Sequence, residues 1–187
     1  MEAVYKGDSA EVAKALLGQE LVHTKDSVTV SGRIVETEAY YGVDDPASRA
    51  GEKRNKINER MWDAPGTSLV YMVHANWLFN VVTEKCGVPG AVLIRALEPV
   101  RGIKIMEKRR GRKSLVDLTS GPGKLTEALG ISSDQHGVDL VKSEELFIRE
   151  TSVPQKRKIG TSKRIGVTED LERELRFYIE GNPHVSR

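Results

Sequence analysis

The chain has a single cysteine, Cys86, which excludes an intrachain disulfide and a thiolate metal cluster. His23, His74, His136 and His184 are scattered, with no second ligand type at helical or hairpin spacing, so no structural metal is expected. No apolar run approaches the roughly 18 to 20 residues that a bilayer span needs. The opening MEAVYKGDSAEVAKALL is acidic early and lacks the basic, apolar, small-residue order of a signal peptide, so a cytoplasmic protein without a membrane partner is expected. Net charge is also scarce: +2 over the whole chain announces no nucleic acid by itself. Repeats, linkers and low-complexity tracts are missing too, and 187 residues suffice for one well-buried domain but are short for two, which predicts one domain over 1–187.

What is present begins with Gly32 to Gly42, GRIVETEAYYG. Ile34, Glu36, Glu38 and Tyr40 fall at period two, as do Val35, Thr37, Ala39 and Tyr41, so in a strand the two sets point to opposite faces. One face is small and apolar enough for core; the other carries two carboxylates and a phenol. Glutamate suits strands poorly, and two of them about 7 Å apart on one face repel. Either this face is solvated or one carboxylate is in use.

Around this strand the chain is punctuated clearly. Asp8 or Ser9 caps a helix reaching about Leu17, and Leu21 to Thr24 pairs with Val28 to Val30 about a turn at Lys25, Asp26 and Ser27. Val43 to Gly66 is polar, broken by Pro and Gly, and made basic by Arg49, Lys53, Arg54, Lys56 and Arg60; a loop this long is expected to be functional. Thr67 to Val73 and Trp77 to Thr83 form a hairpin with His74, Ala75 and Asn76 at its tip, and Tyr71 and Asn80 need a partner or a cavity within it. Ala91 to Leu97 is an apolar strand interrupted by Arg95, whose guanidinium requires an anion such as Glu38, and Pro99 is expected to end it.

Ile103 to Arg110 reads as a short basic helix. In LTSGPGKLTEALG, Thr119 or Ser120 starts a helix that Gly130 stops, and Lys124 in its first turn adds a cation to backbone N–H groups. The spacing is not that of a nucleotide-binding phosphate loop; a single backbone phosphate suits it better. Lys104 to Lys113 and Lys156 to Arg164 concentrate basic residues, as a phosphate-tracking surface or as solvated faces. Glu145 to Arg149 is a further strand, and the two Ile-Gly steps of KRKIGTSKRIGV allow close backbone approach.

In order, ALLG, GRIVETEAYYG, DDPAS, the PGT before Tyr71, FNVV around Asn80, LIRALEP, SGPGKL, RIGV and RFYIEGNPHVS resemble the alkyladenine, or 3-methyladenine, DNA glycosylases of the mammalian-type fold, over nearly the whole chain. The resemblance implies an α+β fold, a curved and mostly antiparallel sheet flanked by short helices. It implies Glu38 as the base that activates a water toward the sugar C1′, with Arg95 and the Ile165 carbonyl holding that water. Tyr40 and Tyr71 stack on the flipped base, Asn80 screens its edge, and Lys124 and Gly123 belong to a DNA-facing turn. Arg164, in the second basic cluster, is expected to join them on DNA. Glu36 is expected to be a structural neighbour at the sheet edge.

The chemistry fits these residues. A base in a duplex cannot be attacked at C1′ until it is flipped out, at a cost of a few kcal/mol that damage reduces. N-alkylated purines already carry positive charge and leave readily, so a water-activating carboxylate suffices, as in an inverting glycosidase. No lysine lies on the proposed face, so base removal without a Schiff base or strand cleavage is expected.

Two departures stand out. Arg49 replaces a histidine that meets the flipped base, and a permanent cation there repels a cationic lesion unless it turns outward. The hairpin tip is one residue short, so the wedge that fills the vacated stack falls on His74, or on Val73 if the gap lies earlier. Asn55 to Asn58 also fail to match the family's run ahead of PGT.

The expectation is a monomeric, monofunctional glycosylase for alkylated or deaminated purines in double-stranded DNA, without metal or organic cofactor. The main rival is a nucleic-acid-binding module that keeps the scaffold with weak or lost catalysis. An RNA-binding or small-nucleotide enzyme is less favoured, since no phosphate loop accompanies the scaffold.

Overall fold

In the computed structural model, which describes residues 2–151 and 158–186, helices α1 (Glu2–Tyr5) and α2 (Ser9–Leu16) lead into strands β1 (Glu20–Lys25) and β2 (Val28–Tyr40). After a long loop come β3 (Ser68–Val73), β4 (Asn76–Val82) and β5 (Ala91–Arg101), helices α3 (Ile103–Arg110) and α4 (Pro122–Leu129), and strands β6 (Leu146–Arg149), β7 (Ile159–Ser162) and β8 (Arg176–Ile179). Lys156 and Arg157 of the second basic cluster, and Arg187, lie outside the described residues. The strands make one curled antiparallel sheet in the order β3-β4-β5-β2-β1-β6, with β8 also on β2 and β7 on β8. The α+β expectation, a curved antiparallel sheet with short helices, holds.

The length of β2 follows from the three partners it serves. One edge takes β5 from Ser31 to Tyr40; the other takes β1 as far as Arg33 and then β8 from Glu36 to Glu38. Glu36 is therefore interior to the sheet and wholly buried, not at its edge. The β1–β2 turn uses Asp26 and Ser27, both left-handed (φ 50° and 63°), the geometry whose twist matches that of the flanking strands.

Strict alternation along β2 does not survive. Ile34 pairs with Leu97 and Thr37 with Ile94, three residues further along each strand. Ile34 and Ala39 nevertheless share the main core, and Thr37 donates its hydroxyl proton to the Ala13 carbonyl of α2 at 2.9 Å. An odd step between residues on one face requires a break in the pleat on each strand. Val35 has no register partner on β2 and Arg95 none on β5, which is how paired bulges behave. Counting by two from Ile34 thus groups it with the wrong residues, although Glu38 and Tyr40 keep a common face.

β5 also runs through Pro99, which pairs with Gly32. Proline is tolerated on an open strand side or at a bulge. Both conditions apply: β4 covers β5 only from Ala91 to Leu93, and the register shifts at Ser31/Gly32.

One face of the sheet, bearing Ile34, Ala39, Phe79, Val81, Val92 and Ile94, is buried with residues of α2 and α4. Asp8 fixes the start of α2 by accepting the N–H groups of Ala10 and Glu11, which turns Val12, Ala13 and Leu16 inward. The opposite face carries Leu69, Val82 and Ala91 under Ala50 and Met61 of the long loop. Burying Met61 stabilises the loop on this face by about 2 kcal/mol. Among the described residues no helix is long and apolar enough to cross a membrane.

Candidate active site

The bulge on β5 lets Arg95 reach both carboxylates of β2. Its Nε donates to Glu36 Oε1 at 3.1 Å and its Nη1 to Glu38 Oε2 at 3.2 Å. Glu38 Oε2 also accepts the Tyr40 hydroxyl at 2.8 Å, and Oε1 accepts the Ile165 N–H at 2.7 Å. The resemblance implied a role for the Ile165 carbonyl; the group that meets Glu38 is the amide on its other side. A carboxylate offers about four acceptor positions, so the three donors named leave room for one more. Burial pushes the Glu38 carboxyl above its ordinary value. Arg95, the Ile165 N–H and the Tyr40 hydroxyl oppose that rise without cancelling it, and Glu36 adds to it. Burial and Glu38 also drive the Tyr40 phenol upward, so it stays a donor.

Glu36 is held differently. Besides Arg95 it accepts Arg176 Nε at 2.7 Å, the Ser186 N–H at 2.6 Å and the Ser186 hydroxyl at 2.8 Å. Arg176 and Ser186 escaped the sequence reading, since neither stands near Glu36 in the chain.

Arg164 is the clearest correction. Its side chain is fully buried, and every donor it has is occupied within the protein. Nη1 and Nη2 grip the two oxygens of Asp45 at 2.7 Å each, Nε and Nη2 reach Asp170 Oδ1 at 3.0 and 2.6 Å, and Nη1 also meets the Ala39 carbonyl at 3.0 Å. Its guanidinium carbon lies 4.6 Å from the centre of the Tyr40 ring. No donor remains for a phosphate. Desolvation pulls its pKa down, but the hydrogen bonds and charges of Asp45 and Asp170 outweigh it and raise the value. Asp45 in turn accepts the N–H groups of Tyr41 and Ala47, tying down the start of the long loop.

Tyr40, Ala47, Arg49, Met61, Leu69, Tyr71, Asn80 and Ala91 line a narrow crevice above this cluster. Tyr40, Tyr71, Asn80 and Arg49, four residues named from the sequence, therefore do come together. Asn80 is buried and donates to the Leu69 carbonyl at 3.0 Å. Arg49 does not turn away from the crevice. Its guanidinium carbon sits 5.5 Å from the Tyr71 ring centre while Nη1 holds Glu52 at 2.6 Å. Asn58, within the stretch that failed to match, is wholly buried and donates to the Arg49 carbonyl at 2.9 Å.

A cleft of about 630 Å³ runs between the β3–β4 hairpin, the start of α4 and the residues Pro183, Val185 and Ser186, and Arg95 lines it. His74 and Ala75 form the hairpin turn with φ of 46° and 62°, a conformation that disfavours residues bearing a Cβ by roughly 1–2 kcal/mol each. His74 is exposed at this tip and lines the cleft. Gly123 lies so close to Asn76 that a Cβ there would meet its side chain at 2.7 Å, so α4 can approach the hairpin only with glycine at that position. Helix α4 is capped by Gly121, without the side-chain cap expected of Thr119 or Ser120. Lys124 in its first turn is paired with Asp117. In the first basic cluster, Arg109 caps the end of α4 through the Ala128 carbonyl and Arg110 pairs with Glu127.

Comparison with known proteins gives the chain's family. A family model described as methylpurine-DNA glycosylase (MPG) matches residues 3–183. The chain is 40% identical over 185 residues to a protein of Chlorobium phaeobacteroides named "Putative 3-methyladenine DNA glycosylase", covering 98% of this chain and 94% of that one. Proteins of the same name from Bacillus cereus and Bacillus anthracis are each 43% identical over 197 residues, covering 98% of this chain and 96% of theirs.

Proposed function

The chain belongs to the methylpurine-DNA glycosylase family, and we propose on that premise that it flips a damaged purine out of duplex DNA into the crevice between Tyr40 and Tyr71 and hydrolyses its N-glycosidic bond with a water activated by Glu38. One arrangement carries this: a buried carboxylate of raised proton affinity, with an acceptor position to spare and an arginine alongside, beneath a crevice walled by two phenols.

In this reading the water oxygen attacks C1′ while its proton passes to Glu38, and the C1′–N electron pair leaves with the purine. The products are the free base and a C1′-hydroxyl abasic sugar. Arg95 holds the water and counters the carboxylate charge until the proton arrives. Because Glu38, Arg95, Tyr40 and Ile165 supply no amine, the reaction ends at base removal. The two phenols hold a purine by stacking, which suits alkylated and deaminated bases alike. His74 fills the gap in the stack, and the turn at Gly123 and Lys124 takes a backbone phosphate. The chain acts as a monomer.

Single-turnover release of free base from duplexes carrying 3-methyladenine, 7-methylguanine, hypoxanthine or ethenoadenine tests this, with release expected from at least one. The Arg49 guanidinium over Tyr71 narrows the crevice and favours a second reading, a scaffold that binds damaged DNA with weak or lost catalysis. Tight binding to all four duplexes with no base released decides for that reading.

A further inference from the structure

Glu38 owes two of its three hydrogen-bond donors to one buried residue that touches neither the carboxylate nor the crevice. The Tyr40 ring, whose hydroxyl reaches Oε2, is backed by the Arg164 guanidinium at 4.6 Å. The Ile165 peptide, whose N–H reaches Oε1, directly follows Arg164. All five guanidinium N–H donors are taken, by Asp45, Asp170 and the Ala39 carbonyl, and the Ala39 carbonyl belongs to the peptide that enters Tyr40. A planar fork held at five points on three chain segments fixes orientation in a way that a single point charge does not.

We propose that Arg164 is a positioning residue for Glu38, acting through Tyr40 and Ile165 and making no contact with DNA. It holds both neutral donors against the carboxylate so that the remaining acceptor position faces the water. This rests on the reading of Glu38 as the base.

The proposal has a signature that simple loss of packing lacks. Hydrogen bonds to the charged form favour it, so slackening Tyr40 and Ile165 must raise the proton affinity of Glu38 further. Around Glu38 stand the titratable and charged groups Arg95 from β5, Glu36 and Tyr40 from β2, Arg176 opposite on β8 and Tyr71 from β3, of which Arg164 touches only Tyr40. Arg164→Lys keeps the charge and removes the fork, so a shift of Glu38 in that variant reports the donors and not Coulomb attraction.

The experiment is a 13C titration of the labelled glutamate carboxyls in the full chain, with single-turnover base release alongside and a thermal melt to establish folding. In Arg164→Lys the Glu38 midpoint is expected to rise by about one pH unit, and the rate to fall about 10- to 100-fold with duplex affinity kept. Should that variant fail to fold, Asp170→Ala decides, since Asp45 still holds Arg164 there. Removing a nearby negative charge lowers the Glu38 midpoint through space, whereas slackened donors raise it. A rise supports the proposal; a fall, or a parent-like midpoint in a folded variant, overturns it. An inactive parent whose Glu38 still shifts upward in the variant sinks the reading of Glu38 as base and leaves the role of Arg164 standing.

Discussion

Glu36 and Glu38 stand two residues apart on one strand, both wholly buried and both bonded to Arg95, yet their surroundings differ. Four donors, from Arg95, Arg176 and the Ser186 backbone and hydroxyl, hold Glu36, two of them cationic and three of them on Oε1. Glu38 has three, two of them neutral, and its proton affinity is raised. A carboxylate held by four fixed donors, two of them cationic, ties segments together. One held by a single cation and two neutral donors, in a site dry enough to raise its pKa, is suited to accept a proton.

The sharpest way to break the contrast is to neutralise each in turn. Glu38→Gln keeps the shape and removes the base, and is expected to lower single-turnover base release by about 100-fold or more with binding retained. Release at the parent rate would place the chemistry elsewhere. Glu36→Gln is expected to act on the fold, lowering unfolding free energy by about 2 kcal/mol as buried donors lose their acceptor, with a smaller change in rate. Denaturant melts of the two variants separate the roles, and equal destabilisation by both would erase the distinction.

A subtler test is pH. Because the folded protein holds the Glu38 proton more tightly than the unfolded chain does, its protonated form adds stability that is complete below the ordinary glutamate range. That contribution is lost as pH rises through the raised folded value. The rate moves oppositely, since only the ionised form accepts a proton. The acid limb of the rate profile is therefore expected above the ordinary glutamate range, and in Glu38→Gln it should vanish; a limb at the ordinary value means the base lies in wetter surroundings.

Further from the carboxylates the effects shrink. His74→Ala should weaken lesion-duplex binding about 10-fold while leaving a lesion in single-stranded DNA nearly untouched, because flipping there is almost free. Equal losses on both substrates would remove His74 from the stack and point to Val73. Lys124→Ala should weaken all duplexes alike and lower the salt slope by about 0.9, provided Lys124 leaves Asp117 for a phosphate; an unchanged slope assigns it to that ion pair.

Much of this architecture was legible because local signals agreed. Helix α3 runs over the residues its pattern predicts, the hairpins fall at their turn residues, and Arg95 meets a carboxylate because a buried guanidinium has few alternatives. Gly160 shows the close approach expected of its Ile-Gly step, since a Cβ there would lie 2.5 Å from the Tyr178 ring. What stayed hidden is what depends on distant partners. Nothing local in Ile34 to Thr37 announces a bulge that only β5 makes necessary, and Pro99 looks like a stop until the open side of β5 is known. Arg164 sits in a run of basic residues and reads as surface charge, whereas Asp45, its principal partner, is 119 positions away. Asn58 was passed over because a motif did not match, although its side chain ties the backbone of Arg49, Lys53 and Asn55 together through contacts that no motif encodes.

The bond from Ser186 to Glu36 spans 150 positions. It gives the site a place in the life of the molecule as well as in its shape. During synthesis Glu36, Glu38 and Arg95 leave the ribosome long before Arg176 and Ser186 do, and until those arrive two carboxylates share one arginine. Chains elongate at roughly 5–20 residues per second, so this half-neutralised state lasts for seconds. The sheet around β2 therefore closes only after Arg176 and Ser186 have emerged, and a nascent chain released before them carries an unbalanced negative pair where the folded protein carries a neutral quartet.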